Sequence, residues 1–432
     1  MADTGNMGVE KGDRRQALWR DGRRVVLLAA LPPTYALAAR VTSDAMIEQV
    51  KAREEHAMNF FMPARLYTGD GCIAQHADAL RTLGTTCLIV TDKVAAKASG
   101  ALDDVTATLD ASDIAYTVWD GVTENPPVAS CIEAGKRAAE VEAQFVLGIG
   151  GGSSLDAAKA ISVFGANPTL DEPGFYALKW DVNPLPIVLV GTTAGTGSEV
   201  TKVSVLTDAA HRKHSIHDDR LYAALAFGDS RHTYTCPDAV TLSCGVDIIA
   251  HATESYFSRK ADEISRAFAV RAIRLALPAL GIASTGWKGP KSLDDHPIWW
   301  RDDLYEASIL GGLAINTTGT CFPHNVGYYL TENYHVPHGF ASAIFLPSMI
   351  ELVEQTCDDP TYAATFFDEI GKDKNAFERM IEGCLQMDQK VHMTPEEIEA
   401  ALPRWENNGS VKNTRADVSL DDIRTILTSL FV

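Results

Sequence analysis

The sequence predicts an α/β protein in two parts: an N-terminal Rossmann-like domain on a parallel sheet, then an all-helical C-terminal domain. Three observations predict it. Between Thr85 and Val190, short apolar runs alternate with amphipathic stretches of helical period. One of these runs ends in Gly150-Gly151-Gly152 and opens directly into a helical pattern. After Cys236-Pro237 the strand-like runs stop and long helical patterns replace them. Strands that alternate with helices pair in parallel through right-handed crossovers, because a parallel neighbour is reached only by crossing over the sheet.

The elements follow in order. The first residues stand apart: Arg20, Arg23 and Arg24 precede an apolar stretch from Val25 to Ala39 that Pro32 and Pro33 interrupt. That stretch is too short and too broken to span a membrane. Its leader is long and carries acidic residues, unlike a secretory signal. Residues 1–58 are therefore expected to be a disordered or non-native extension, with Met58 as the native start. Strands are expected at Thr85–Val90, Ile114–Trp119, Gln144–Ile149 and Leu185–Val190. Helices are expected at Val94–Leu109, Val128–Val141 and from Ser153 to Val163. These fall in an expected domain of residues 59–235. In residues 236–432 the helical patterns are Asp247–Phe257, Ile264–Leu280, Asp303–Leu313, Pro347–Glu354, Asn375–Leu385 and Leu420–Phe431.

Composition limits the partners. The chain of 432 residues carries a formal net charge of −19. An acidic surface repels nucleic acid phosphates, so a nucleic-acid role is excluded, and no membrane role is expected. The eight cysteines form no C-x-x-C pair and scatter through apolar segments. Reduced thiols in the cytoplasm are the expectation for a chain of this length.

Gly148-Ile149-Gly150-Gly151-Gly152-Ser153 lies between a strand and a helix. Glycines let a backbone approach a phosphate closely, and a helix start offers free N–H groups and the positive end of its dipole. The sixth position of the usual dinucleotide fingerprint is Ser153 rather than glycine. The acidic ribose-binding candidate is upstream: Asp92 follows the first strand. Loops at the carboxyl ends of parallel strands line one crevice, so Asp92 and Gly150, Gly151, Gly152 and Ser153 suit opposite parts of one dinucleotide. A carboxylate there favours NAD over NADP; the equally weighted alternative is a charge at a helix start. The run Thr192-Thr193-Ala194-Gly195-Thr196-Gly197-Ser198 suits the nicotinamide or pyrophosphate side of the same ligand.

Asp247 and His251 are four residues apart, hence on one helical face, with apolar residues between them. A buried Asp–His pair is costly without a shared cation. His324 and His338 follow, 338 − 324 = 14 residues apart. One carboxylate and three imidazoles suit Fe²⁺ or Zn²⁺. His211, His214 and His217 lie in a polar segment and are read as a solvated loop or turn.

Taken together these motifs resemble the iron-containing (group III) alcohol dehydrogenases, whose fold is similar to dehydroquinate synthase. The resemblance runs from about Phe60 to the C-terminus. It is carried by Gly150-Gly151-Gly152-Ser153 with Asp156 and Lys159, by Thr192 to Glu199, by Gly245-Val246-Asp247 through His251 and Glu254, and by His324 with Pro337-His338-Gly339. It implies a metal held by Asp247, His251, His324 and His338, and cofactor contacts at Asp92, Gly150 to Ser153, Thr192, Thr193 and Thr196. Lys213 matches a lysine that family members place near the cofactor. Tyr328 is a departure: many members carry a histidine there. A phenol, with its ordinary pKa near 10, is a poorer proton relay at neutral pH.

The expected activity is reversible hydride transfer between NAD(H) and a small primary alcohol or aldehyde, in a homo-oligomer expected to be a dimer. Two alternatives stand beside it: a glycerol-dehydrogenase-like or dehydroquinate-synthase-like enzyme, and an inactive NAD-binding protein. The full set of ligand residues argues against both.

Overall fold

Six parallel strands make the sheet that the alternation predicts, and each face of it is covered. The computed structural model describes residues 18–20, 23–25, 58, 60–284, 299–385 and 391–432. The chain divides into two units, Met1–Ala57 and Met58–Val432. In the first, β1 (Leu18–Arg20) pairs antiparallel with β2 (Arg23–Val25). The rest of the expected extension lies outside the described residues.

In the second unit the strands are β3 (Arg65–Thr68), β4 (Thr86–Thr91), β5 (Ala115–Trp119), β6 (Phe145–Gly150), β7 (Ile187–Gly191) and β10 (Leu225–Gly228). Their order is β3-β10-β7-β6-β4-β5. A separate hairpin joins β8 (Val203–Thr207) to β9 (Lys213–His217). In β4, Leu88 and Val90 enter one apolar cluster, with the helices Val128–Glu140 and Gly152–Ala166. Cys87 and Ile89 enter another, with the helix Ala101–Ala111. This period-2 division is what a strand buried on both faces requires.

Several expectations need correction. Val94–Leu109 is two helices, Ala95–Ala98 and Ala101–Ala111, separated at Gly100, whose φ of 79° is left-handed. β3 and β10 were not expected; both are only four residues long and give little periodicity to read. Of His211, His214 and His217, expected in a solvated loop or turn, His211 lies in the turn before β9. His214 and His217 instead lie in β9, and His214 stacks on Tyr176 at 3.9 Å. Polar alternation on an exposed hairpin is easily mistaken for a loop.

After Thr233 the described chain is largely helical. Asp247 lies in the middle of the helix Asp238–Tyr256, which starts nine residues earlier than expected, behind Pro237. Glu263–Ser284 and Trp299–Thr318 pack on it around a single apolar cluster that includes Ile248, Ile249, Leu304 and Phe322. Phe322–Tyr334, which bears out the helical face expected for His324 and Tyr328, and His338–Ala343, not anticipated as a helix, carry the remaining candidate ligands. Among the described residues, no helix is long and apolar enough to cross a membrane.

Candidate active site

The helix Asp238–Tyr256 is buried from Val246 through Tyr256, so its polar residues need partners inside the protein. Asp247, His251 and Glu254 lie on one face of it. Phe322–Tyr334 brings in His324, and the first residue of the next helix, behind Pro337, brings in His338. Gly339 permits that approach: a Cβ there would lie 1.9 Å from the Ser243 carbonyl oxygen.

Three of the expected ligands, Asp247, His251 and His324, form one group, and His338 lies beside it. Asp247 Oδ1 is 3.4 Å from His324 Nε2 and 3.9 Å from His338 Nε2, and Asp247 Oδ2 is 3.9 Å from His251 Nδ1. One ligand atom each from Asp247, His251 and His324 lies within 4.8 Å of the others. The rings of His251 and His324 stack with centroids 4.5 Å apart. Asp247 Oδ1, His251 Nδ1 and His324 Nε2 are buried and have no hydrogen-bond partner. Unpaired buried polar atoms facing one another are costly unless something sits between them. Ligand atoms about 2.1 Å from a tetrahedral ion stand roughly 3.4 Å apart, so the donor set fits a divalent cation.

Burial would raise the Asp247 carboxyl, but His251, His338 and His324 around it hold it well below the usual carboxylate range. Burial pushes His251 down to about 4 and His338 well below its ordinary value, the latter with help from the Lys213 ammonium. His324 moves the other way, up to about 10. Burial opposes that rise, but Glu254 and Asp247 flank the ring.

The other candidates meet at the carboxyl ends of three adjacent strands. In register, Thr91 pairs with Ile149 and Gly150 with Gly191, so the residues following β4, β6 and β7 emerge side by side. A Cβ on Gly150, whose φ is 147°, would lie 3.6 Å from Asp92 Oδ2. The other oxygen, Asp92 Oδ1, accepts from the N–H groups of Val94 and Ala95 at 2.8 and 2.5 Å. The helix-start reading of Asp92 thus has its counterpart in Oδ1, while Oδ2 lies beside the glycine loop. Gly151 and Gly152 lie against the Thr193 and Thr196 side chains, and no side chain caps the first turn of Gly152–Ala166. Ser153 Oγ accepts from Asn125 N at 3.3 Å. Thr192 Oγ1 is buried without a partner.

The two groups adjoin. A Cβ on Gly195 would come within 2.8 Å of the Cys244 Cβ, on the helix of Asp247. Lys213, on β9, places Nζ 5.3 Å from the centre of the Tyr328 ring, which stacks on His338 at 5.4 Å. Burial lowers the Lys213 ammonium, with Asp247 foremost among the carboxylates that oppose it. Burial also raises the Tyr328 phenol, and Asp247 adds to the rise.

Sequence reading gave no role to several residues that hold this arrangement. Lys159 is fully buried and donates to Ser198 O at 2.8 Å, Ser198 Oγ at 2.7 Å and Val203 O at 2.7 Å. Asp156, one turn earlier, accepts from Ser198 Oγ at 2.6 Å and Val205 N at 3.0 Å. Ser308 Oγ accepts from the N–H groups of Gly195 and Gly197. Glu254 is fully buried against His324 Nδ1. The available signals were a charge one turn after Asp156 amid apolar residues, and a carboxylate 254 − 247 = 7 residues beyond Asp247, hence on the same helical face.

Residues 63–230 match the family model for iron-containing alcohol dehydrogenase, and residues 241–404 match the C-terminal model of the Fe-containing alcohol dehydrogenase family. The chain belongs to the iron-containing alcohol dehydrogenase family. It is 32% identical over 301 residues to long-chain-alcohol dehydrogenase 1 of Geobacillus thermodenitrificans, covering 68% of this chain and 73% of that one. The iron-containing alcohol dehydrogenase of Thermotoga maritima superposes with a TM-score of 0.78 at 32% identity, over 87% of this chain and 99% of that one. Sulfoacetaldehyde reductase of Bifidobacterium kashiwanohense, solved in complex with NAD⁺, superposes with a TM-score of 0.75 at 25% identity, over 87% of this chain and 98% of that one. This chain is thus an oxidoreductase of the alcohol dehydrogenase family, with a buried Asp–His–His group suited to a metal ion.

Proposed function

We propose that the chain catalyses reversible hydride transfer between NAD(H) and a small primary alcohol or its aldehyde, at a divalent cation held by Asp247, His251, His324 and His338. The observation that carries this reading is the set of buried, unpartnered ligand atoms facing one another beside the glycine-rich crevice. When bound, Fe²⁺ or Zn²⁺ supplies Lewis acidity that lowers the pKa of an alcohol. When bound, NAD supplies the hydride acceptor. The first turn of Gly152–Ala166 offers its N–H groups to the pyrophosphate, and Asp92 Oδ2 accepts from a ribose hydroxyl. Thr192, Thr193 and Thr196 line the nicotinamide side, with Lys213 beside them. Eight free thiols fit the reducing cytoplasm.

The test is a panel of primary alcohols and diols with NAD and NADP, run on protein of known metal content. Metal-replete, NAD-bound protein that turns over no alcohol would sink the reading. Asp92→Gly supplies the cofactor arm: removing a like charge near the NADP 2′-phosphate should raise the NADP/NAD efficiency ratio about tenfold. The ratio cancels the lost helix-start contacts of Asp92, and an unchanged ratio would leave Asp92 as a helix-start charge alone.

Tyr328 shapes the pocket in this reading. Its ring stacks on His338 with Lys213 Nζ over its face, so it forms part of the wall beside the proposed ligand. Tyr328→Phe should keep most of the turnover. A fall of about a hundredfold, the size expected for a lost acid–base group, would instead make the phenol a working proton donor.

A further inference from the structure

We propose that Glu254 is the positioning residue of the metal centre: its carboxylate fixes both the tautomer of His324 and the start of the helix that carries it. The proposal rests on the reading that Asp247, His251, His324 and His338 bind a divalent cation. Glu254 is fully buried on the same helical face as Asp247 and His251. Its Oε1 meets His324 Nδ1. Its Oε2 accepts from Cys321 N at 2.7 Å and from His324 N at 3.4 Å. These are N–H groups at the start of Phe322–Tyr334, where the Cys321 side chain makes no cap. A carboxylate from a different helix thus stands in for the local capping side chain.

An ionised carboxylate only accepts hydrogen bonds. Facing Oε1, His324 Nδ1 must carry a hydrogen, so the proton that a cation would replace is the one on Nε2, which lies 3.4 Å from Asp247 Oδ1. Because the same carboxylate also holds the backbone of Cys321 and His324, the ring is fixed in place as well as in tautomer. Outer carboxylates of this kind set the orientation and basicity of metal-bound histidines.

Glutamine is nearly the same shape but cannot meet both demands. If its oxygen faces Cys321 N, its NH₂ faces Nδ1 and favours the hydrogen on Nε2, where it blocks a cation. If its oxygen faces Nδ1, its NH₂ opposes the Cys321 N–H. Metal-stripped full-length wild type and Glu254→Gln should be titrated with Co²⁺, following its visible absorption and competition with a chelator, with NAD binding as the check of folding. The expected result is Co²⁺ binding weakened about 10- to 100-fold in Glu254→Gln, with an altered visible spectrum and unchanged NAD affinity. If Glu254→Gln does not fold, Glu254→Asp replaces it: an acceptor one methylene short should bind Co²⁺ more weakly than wild type. Equal Co²⁺ affinity and an identical spectrum in the folded variant would overturn the positioning role, even if its metal-free form were less stable. Wild type that takes up no Co²⁺ would overturn the metal reading itself, and this proposal with it.

Discussion

His251→Ala is expected to strip the bound cation and lower turnover by on the order of 10³-fold or more, the scale of a lost Lewis acid. The geometry separates this from general damage to the fold. His251 Nδ1 is buried with no hydrogen-bond partner, so the substitution removes an unpaired atom at that nitrogen. Without a cation, burial disfavours charge on the His251 ring, whose pKa falls to about 4. The metal-free variant should still fold, less stable than metal-free wild type by the packing its ring makes on His324. A further difference should appear once metal is added: wild type gains about 4 kcal/mol at a thousand times its dissociation constant, and the variant much less. NAD affinity should hold, because Gly150 to Ser153 lie at the end of β6 and not on the metal helix. Elemental analysis, unfolding with and without metal, and NAD titration read the three quantities. Metal-free His251→Ala with wild-type turnover would refute the cation's role.

The interior strands β4, β6 and β7 were legible because each is an apolar run of five or six residues bounded by turn residues. Their register is what turns three separate sequence motifs into one crevice. No spacing along the chain could supply it: Asp92, Gly150 and Thr192 meet only because β4, β6 and β7 are neighbours in the sheet. The metal ligands were legible as residue types. The helix holding His324 was legible only in its four-residue spacing to Tyr328, and the one holding His338 was not, because it is six residues long, starts behind Pro337 and is built largely of small residues that mask its period. The split at Gly100 and the short strands β3 and β10 were lost for the same reason: a few residues carry too little periodicity to set against their neighbours. The least legible layer was the polar scaffolding. Lys159, Ser308 and Glu254 look like ordinary helix residues until burial removes the water that would otherwise satisfy them.

Lys159→Met tests that scaffolding, and it should be the most destabilising single change considered. The ammonium is the common donor for two backbone carbonyls and the Ser198 hydroxyl, with Asp156 3.5 Å away. Burial lowers the pKa of Lys159, and Asp156 opposes that fall. Methionine fills much the same volume but donates nothing. It leaves the buried carbonyl of Ser198 and that of Val203 without the ammonium and the partly buried Asp156 without its cation, at a cost of about 3 kcal/mol. The damage should be directed. Ser198 closes the loop that begins at Thr192, and the helix carrying Asp156 and Lys159 is the one whose first turn faces the proposed pyrophosphate. Loosening the pair frees both walls of the crevice at once, so NAD affinity should fall at least about tenfold, which is 1.4 kcal/mol. Asp247, His251, His324 and His338 sit on other helices, so cation binding should persist in whatever fraction remains folded. Denaturant unfolding, NAD titration and metal content on one preparation separate these effects. Unchanged NAD affinity beside lowered stability would make Lys159 a core residue with no part in shaping the cofactor site.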